Sequence, residues 1–306
     1  MVKLLPGPEI TIDRSERGIT LSAGRATSRI VGLPDRDFPK IPVAPESTKF
    51  HAVEGSALLA MIEATMFSVC RDGTRFHLNG ALLEGTGDIM RMVTTDGHRL
   101  TMASRAVSGV VQRGVIIPAK GLQEIKRLLD DGMCHIGFSA SHMFVRQAGA
   151  ELAIKLTDAQ FPPYGQVIPK DNPHVVTVGR KALIEAFSRA RMLASETRGV
   201  RITSDSGDLV IASDNPDMGD MTERVAIEGP ITTRPNDPAY AGLYIDRLIK
   251  TGCNAVYMIE ALDRIDDERV TIAFPSGELE PFLLRPAGDV ALGDSEFQAV
   301  IMPMRI

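Results

Sequence analysis

The side chains that could do covalent or metal chemistry in this chain are present singly, and none has the partners its chemistry requires. Asp205-Ser206-Gly207 has the composition of an aspartic-protease loop. That reaction needs two carboxylates sharing one site, and this tripeptide stands alone between Val200-Arg201-Ile202 and Leu209-Val210-Ile211. Two short apolar runs around Asp-Ser-Gly read as a hairpin and its turn. Cys134 and His135 are adjacent, which is not metal-ligand spacing, and no Cys-x-x-Cys occurs. His98 could act as a general base, yet no Ser, Cys or carboxylate accompanies it at a recognisable spacing. Neither a phosphate-binding Gly-x-x-x-x-Gly-Lys loop nor a Gly-x-Ser-x-Gly elbow is present. The expectation is a protein that is not an enzyme and carries no metal or cofactor.

Binding chemistry is better represented. The last residues, Val300-Ile301-Met302-Pro303-Met304-Arg305-Ile306, are apolar apart from one base, whereas chain ends are usually polar and frayed. Such a run needs a dry place to sit. It can be a last strand tucked into the core, or one wall of a groove for another molecule's apolar side chains. The two methionines suit the second reading, because Met is over-used on adaptable binding surfaces.

Composition sets the frame for both. The chain has 306 residues, 44% hydrophobic and 24% charged, with a formal net charge of −5. These values suit a globular chain of two or three domains. The negative balance disfavours a general nucleic-acid binder but leaves room for a locally basic face. No run of about 18 apolar residues spans a membrane, and Met1-Val2-Lys3-Leu4-Leu5-Pro6 is too short for a signal peptide. Cys70, Cys134 and Cys253 are odd in number and far apart, so they read as reduced, buried thiols of a cytoplasmic protein.

The chain repeats itself. Leu33-Pro34-Asp35-Arg36-Asp37-Phe38-Pro39 is echoed by Leu156-Thr157-Asp158-Ala159-Gln160-Phe161-Pro162, 123 residues on, and Ile62-Glu63-Ala64 by Ile184-Glu185-Ala186, 122 residues on. Agreement of the offsets defines a unit of about 122 residues closed by Phe-Pro. The expected division is 1–45, the C-terminal remnant of one unit, followed by complete units 46–170 and 171–306, so that the chain begins in mid-domain.

Each complete unit carries helical and strand periodicities in the same order. Leu58, Leu59, Ile62, Met66 and Val69 form one stripe and predict a helix over 54–71. Pro118 and Gly132 bracket a second helix at about 120–131. The second unit's helices are expected at about 180–194 and 252–264. Short strands separate them, with Thr95-Asp96-Gly97 as one tight turn. The unit is therefore two βαβββ halves, an α+β fold dominated by antiparallel sheet. Residues 231–243, rich in Thr, Pro and Ala, read as a long surface loop.

Three segments then converge: Thr95-Asp96-Gly97-His98-Arg99-Leu100, Phe161-Pro162-Pro163-Tyr164-Gly165-Gln166-Val167-Ile168-Pro169, and the C-terminal run. Together they resemble the bacterial DNA polymerase III β subunits, the replicative sliding clamps. Leu78-Asn79-Gly80, Pro118-Ala119-Lys120-Gly121 and Arg198-Gly199-Val200-Arg201 add to the resemblance. The family has three similar domains, with antiparallel sheets outside and helices on the inner face. In three places this chain departs from it: most of the first domain is absent, Gln166 replaces a basic residue, and the loop 231–243 looks longer.

The resemblance implies a groove that takes short linear peptides, glutamine-led and ending in leucine and phenylalanine, from DNA polymerase, clamp-loader and repair proteins. Carried over residue by residue, it would be lined by Leu78, Thr95, Gly97, His98, Arg99, Leu100, Pro162, Gln166, Val167, Val300, Met302, Pro303, Met304 and Arg305. Gln166 keeps hydrogen bonding but loses the charge. The resemblance also implies non-specific contact with double-stranded DNA by Phe76, His77, Lys120, Lys126, Arg127, Arg180, Lys181, Arg189 and Arg191. On one helix the bases oppose Glu124, Asp130 and Asp131, and on the other Glu185 alone. A merely solvated helix face accounts for such charges equally well.

Ile30, Met192 and Leu193 would lie near the family's subunit joint. With two complete units, the expectation is a monomer or a weak self-association through strand edges, a trimeric ring being the minor outcome. The implied function is a DNA polymerase processivity factor in DNA replication. The alternative is a shortened paralogue that binds peptides and does not encircle DNA.

Overall fold

Asp208–Asn215 buries Leu209, Ile211 and Ser213 while the residues between them stay partly exposed, the period-two signature of a strand with one face on a core. Its predecessor Gly199–Asp205 pairs with it in antiparallel register, Asp205 opposite Asp208. Between them Ser206 and Gly207 take φ of 51° and 86°. Consecutive positive φ values make the turn that matches strand twist, so Asp205-Ser206-Gly207 is a hairpin turn.

A computed structural model describes residues 2–15, 17–107, 112–229, 231, 249–288 and 297–306. From residue 232 onward the expected loop 231–243 lies outside the described residues. Two compact units are present, Met1–Val43 and Ala44–Ile306. The first holds an antiparallel meander of β1 (Thr11–Ser15), β2 (Gly18–Ala23) and β3 (Ala26–Val31), with Leu21 and Ala23 as its buried hydrophobic side chains among the described residues.

The second unit runs β4 (Phe50–Glu54), α1 (Gly55–Thr65), β5 (Gly80–Thr86), β6 (Ile89–Thr95), β7 (Arg99–Ala106), β8 (Gln112–Pro118), α2 (Ala119–Leu128), β9 (Met133–Phe138), β10 (His142–Gln147) and β11 (Ala150–Lys155). It continues β12 (His174–Gly179), α3 (Arg180–Leu193), β13 (Gly199–Asp205), β14 (Asp208–Asn215), β15 (Gly219–Ala226), β16 (Lys250–Asn254), α4 (Ala255–Leu262), β17 (Arg269–Phe274), β18 (Phe282–Pro286) and β19 (Phe297–Ile301). The βαβββ order therefore occurs four times, and the α+β expectation matches the fold.

Helix boundaries differ from the sequence reading: α2 ends at Leu128 rather than near 131, and α4 at Leu262 rather than near 264. Residues 66–68 tighten into a 3-10 turn. Residues 250–254 are strand, and α4 begins at Ala255 because Asn254 caps it, its side chain accepting the Val256 amide at 2.9 Å.

The strand order β12-β17-β18-β19-β7-β6-β5-β8 makes one antiparallel sheet shared by both repeats. The join is β19 on β7, with Val300 opposite Leu100 and Ile301 opposite Arg99. Flanking four-stranded sheets are β11-β10-β9-β4 and β15-β14-β13-β16. α1 packs on β6 and β7, and α3 packs on α4, β14 and β15. Leu58, Met61, Ile62, Leu122 and Ile125 sit in the first repeat's core; Leu183, Phe187, Met258 and Leu262 sit in the second's. A third apolar cluster straddles the join and contains Leu78, Leu100, Phe161, Leu283 and Val300. Cys70, Cys134 and Cys253 are free and buried, and burial pushes the Cys134 thiol up to about 11. Among the described residues, no helix is long and apolar enough to cross a membrane.

Candidate peptide groove and basic helices

Turn 95–98 sits at one end of the join, and its geometry follows from side-chain length. Asp96 reaches forward so that Oδ1 accepts the His98 and Arg99 amides at 2.9 and 3.0 Å. The Thr95 hydroxyl donates to the Arg99 carbonyl at 2.6 Å. Gly97 takes φ 87°, a conformation that a side chain would strain. The turn thus presents Gly97 and the His98 ring to solvent. The His98 carbonyl accepts the Met302 amide at 3.0 Å, which carries the β19–β7 pairing past the end of the strand. Two residues on, the Met304 amide donates to the Gly252 carbonyl at 2.8 Å, so the C-terminal run passes from the shared sheet to β16.

The buried-strand reading holds for the first part of this run. Val300 and Ile301 are buried strand residues, whereas Met302, Pro303 and Met304 are half-buried and Arg305 is exposed. Leu78, Leu100 and Val300 belong to the apolar cluster at the join and are 6%, 3% and 1% exposed. These three expected lining residues are buried. Pro162 and Val167 come from the connector between repeats, where Phe161, Tyr164 and Ile168 pack on the same cluster. Asn172 staples that connector to the second repeat, donating to the Ala273 and Pro281 carbonyls at 2.8 and 3.0 Å. Tyr164 donates to Glu84, and burial, then this hydrogen bond, raises its pKa.

Four of the expected lining residues border two depressions, two in each. Gln166 and Val167 line a cleft of about 500 Å³ with Ile168, Lys170, Asn172 and Glu280. Met304 and Arg305 line another of about 680 Å³ with Arg201, Lys250, Gly252 and Leu279. Arg99, another expected lining residue, is 7% exposed and pairs with Asp96, Glu260 and the Phe67 carbonyl. Its partners Phe67, Tyr257 and Glu260 carried no sequence signal, because they meet only through the fold.

The basic residues divide in the same way. Lys126 pairs with Glu63, and Arg127 with Glu124 at 2.7 Å. Arg180 turns inward to the Asp267 and Leu262 carbonyls, at 3.0 and 3.4 Å. Arg189 meets Glu185 and also Glu223 on β15, at 2.8 and 2.5 Å. Glu185 is the one acid on the helix itself, and Glu223 reaches Arg189 from β15. The Arg189 hydrogen bond holds the Glu223 carboxyl below its usual value. Lys120, Lys181 and Arg191 are exposed and make no ion pair among the described residues. Phe76 is 59% exposed and lies edge-on to His77. Met192 is exposed, Leu193 is half-buried, and Ile30, in the other compact unit, is exposed.

A shared sheet joining two tandem βαβββ pairs defines a DNA-clamp architecture. Comparison with known proteins agrees. The DNA polymerase III beta subunit central domain matches residues 52–163, and the C-terminal domain of the same subunit matches 165–305. The Pseudomonas putida KT2440 beta sliding clamp is 32% identical over 302 residues, covering 97% of this chain and 76% of that protein. The Escherichia coli K12 beta sliding clamp is 28% identical over 307 residues, 98% and 77% of the two chains. A Pseudomonas aeruginosa sliding clamp, solved bound to griselimycin, superposes with a TM-score of 0.81 at 30% identity over 99% of this chain and 78% of that one. A Caulobacter crescentus clamp gives 0.84 at 25% identity, covering 100% and 79%. The chain belongs to the DNA polymerase III beta subunit family. It is a sliding-clamp processivity factor and not an enzyme.

Proposed function

We propose that this clamp docks polymerase, clamp-loader and repair proteins through short peptides bound at the join between its repeats, and that it holds duplex DNA without reading sequence. In this reading 1–45 corresponds to the C-terminal part of a first clamp domain, and 46–170 and 171–306 are the second and third. The observation that carries the docking half is the half-buried Met302-Pro303-Met304 run. It is fixed by main-chain bonds to His98 and Gly252 and directly follows Val300, a member of the apolar cluster at the join. A rigid main chain with partly exposed apolar side chains suits anchor residues of a peptide, because few anchors carry most of such binding energy. That a Pseudomonas aeruginosa relative accepts griselimycin supports a ligand-competent clamp surface. For DNA, exposed Lys120, Lys181 and Arg191 supply phosphate attraction without base readout.

Fluorescence anisotropy with a labelled glutamine-led pentapeptide ending in Leu-Phe tests the docking site. Micromolar-scale binding is expected, about −7 to −8 kcal/mol. Met302→Ala should weaken it roughly tenfold or more. Unchanged affinity in that variant would remove the groove from this position.

A further inference from the structure

We infer that Arg99 is a positioning residue: it sets the shape of the groove from inside the join and does not itself bind the peptide. The inference rests on the docking reading above and assigns Arg99 a different place in it.

Every nitrogen of the guanidinium is engaged. Nε donates to Asp96 Oδ2 at 3.1 Å, Nη2 to the Phe67 carbonyl at 2.9 Å, and Nη1 to the Glu260 carboxylate. Both aromatic neighbours approach the planar group, with ring centroids 5.0 Å away for Phe67 and 4.4 Å for Tyr257. Arg is the side chain for this job, since its rigid fork meets several acceptors at once and its plane packs on rings. Offering that fork to a ligand would strip a buried charge of its partners, which is strongly unfavourable.

The partners come from both repeats. Asp96 and Phe67 belong to the first; Tyr257 and Glu260 lie on α4 of the second. The groove hangs from the same groups. Asp96 uses its other oxygen to hold the His98 amide, and the His98 carbonyl holds Met302. The His98 ring stacks on Tyr257 with centroids 6.4 Å apart. Behind Phe67, the Thr65 carbonyl is fixed by the hydroxyls of Thr94 and Ser68, at 2.7 and 3.2 Å. A cation wedged between α4 and turn 95–98 thus fixes the distance from the second repeat to the turn that anchors the C-terminal run.

The test is a double-mutant cycle in peptide affinity. Glu260 touches Arg99 from the second repeat and lies outside the expected groove lining. Arg99→Ala and Glu260→Ala should each weaken the labelled pentapeptide roughly three- to thirtyfold, and the double variant should be little worse than either, as for coupled neighbours. Hydrogen exchange of the Met302 amide should quicken in both. Arg99→Lys keeps the charge but not the fork and should recover only part of the affinity. Glu260→Gln serves as the milder variant should an alanine variant not fold.

Weakening by Arg99→Ala with Glu260 variants unaffected would mean that Arg99 contacts peptide directly, and would overturn the proposal. So would additive losses, or unchanged affinity in both while Met302→Ala weakens binding. If Met302→Ala has no effect, the docking reading itself fails. Exchange at the Met302 amide then still decides the matter: quickening in both variants upholds Arg99 as the positioner of the turn, and unchanged exchange overturns it.

Discussion

The Met302 amide and the His98 carbonyl, 3.0 Å apart, join the end of the second repeat to a turn of the first. The bond lies just past the Ile301–Arg99 pair that ends the β19–β7 ladder. Strand pairing therefore does more than close a sheet. It carries the C-terminal run onward to β16, with the Met302 and Met304 amides both bonded to main-chain carbonyls. An apolar chain end is stable here because its main chain is held by the fold rather than by its own side chains.

On the DNA side, exposed cations and paired ones should separate. Replacing Lys120, Lys181 and Arg191 with Ala should flatten the dependence of log affinity on log salt by about 2–3 units, since each lost phosphate contact removes about 0.9. Replacing Lys126, Arg127 and Arg189 should change it less, because Glu63, Glu124 and Glu223 already meet those charges. Peptide binding should be untouched by the first set. Duplex titrations from low to moderate salt decide the point, and the reverse order of effects would remove the exposed set from the DNA-facing surface.

The residues behind that contrast also mark what the sequence could disclose. Helix and strand order, the Asp205-Ser206-Gly207 turn and the βαβββ repeat were legible because they depend on local period and turn chemistry. The outer strands alternate clearly, as Leu209 and Ile211 do. β7 hides its function, since Arg99, Leu100, Thr101, Met102 and Ala103 are all buried, as expected for a strand covered on both faces. Arg99 could be placed near the site by resemblance, but not inside it. That needed Glu260, 161 residues away, and no local pattern carries such a pairing. The Lys126–Glu63 pair escaped for the same reason.

Acid should act first through His174. This residue begins β12, is 2% exposed, and burial lowers its pKa. Protonation therefore favours the unfolded chain. The stabilisation of the neutral form is complete above the unfolded value near 6.5 and is lost as pH falls from there toward the lower folded value. The slope is at most about 1.4 kcal/mol per pH unit. Asp267 and Glu223, whose carboxyls are held below their usual values, titrate at lower pH. Urea unfolding at pH 7.5, 6.5 and 5.5 should show falling stability for the native chain and a flatter profile for His174→Gln. Parallel profiles would mean that another group governs this window.

Gly252 should matter to the groove although it is not among the expected lining residues. A methyl group at this position would lie 2.5 Å from the Met304 carbonyl oxygen and 2.6 Å from the Ile306 side chain. The side chain can move, but the carbonyl belongs to the main chain that Gly252 itself holds through the Met304 amide. Gly252→Ala must therefore push the C-terminal run away from β16, at a cost of roughly 1–3 kcal/mol typical of overpacking. Gly207→Ala is the control. Its φ of 86° makes the substitution strained, but nothing lies within 4 Å of the added carbon, and the hairpin it closes is elsewhere on β13 and β14. Both variants should lower the unfolding midpoint. Only Gly252→Ala should quicken hydrogen exchange at Met304 and weaken the Leu-Phe pentapeptide, roughly tenfold if the anchors are displaced together. Equal loss of peptide affinity in the two variants would mean that general destabilisation, rather than the seating of Met302 and Met304, sets the groove. Full affinity in Gly252→Ala despite faster Met304 exchange would mean that the peptide does not depend on this end of the chain.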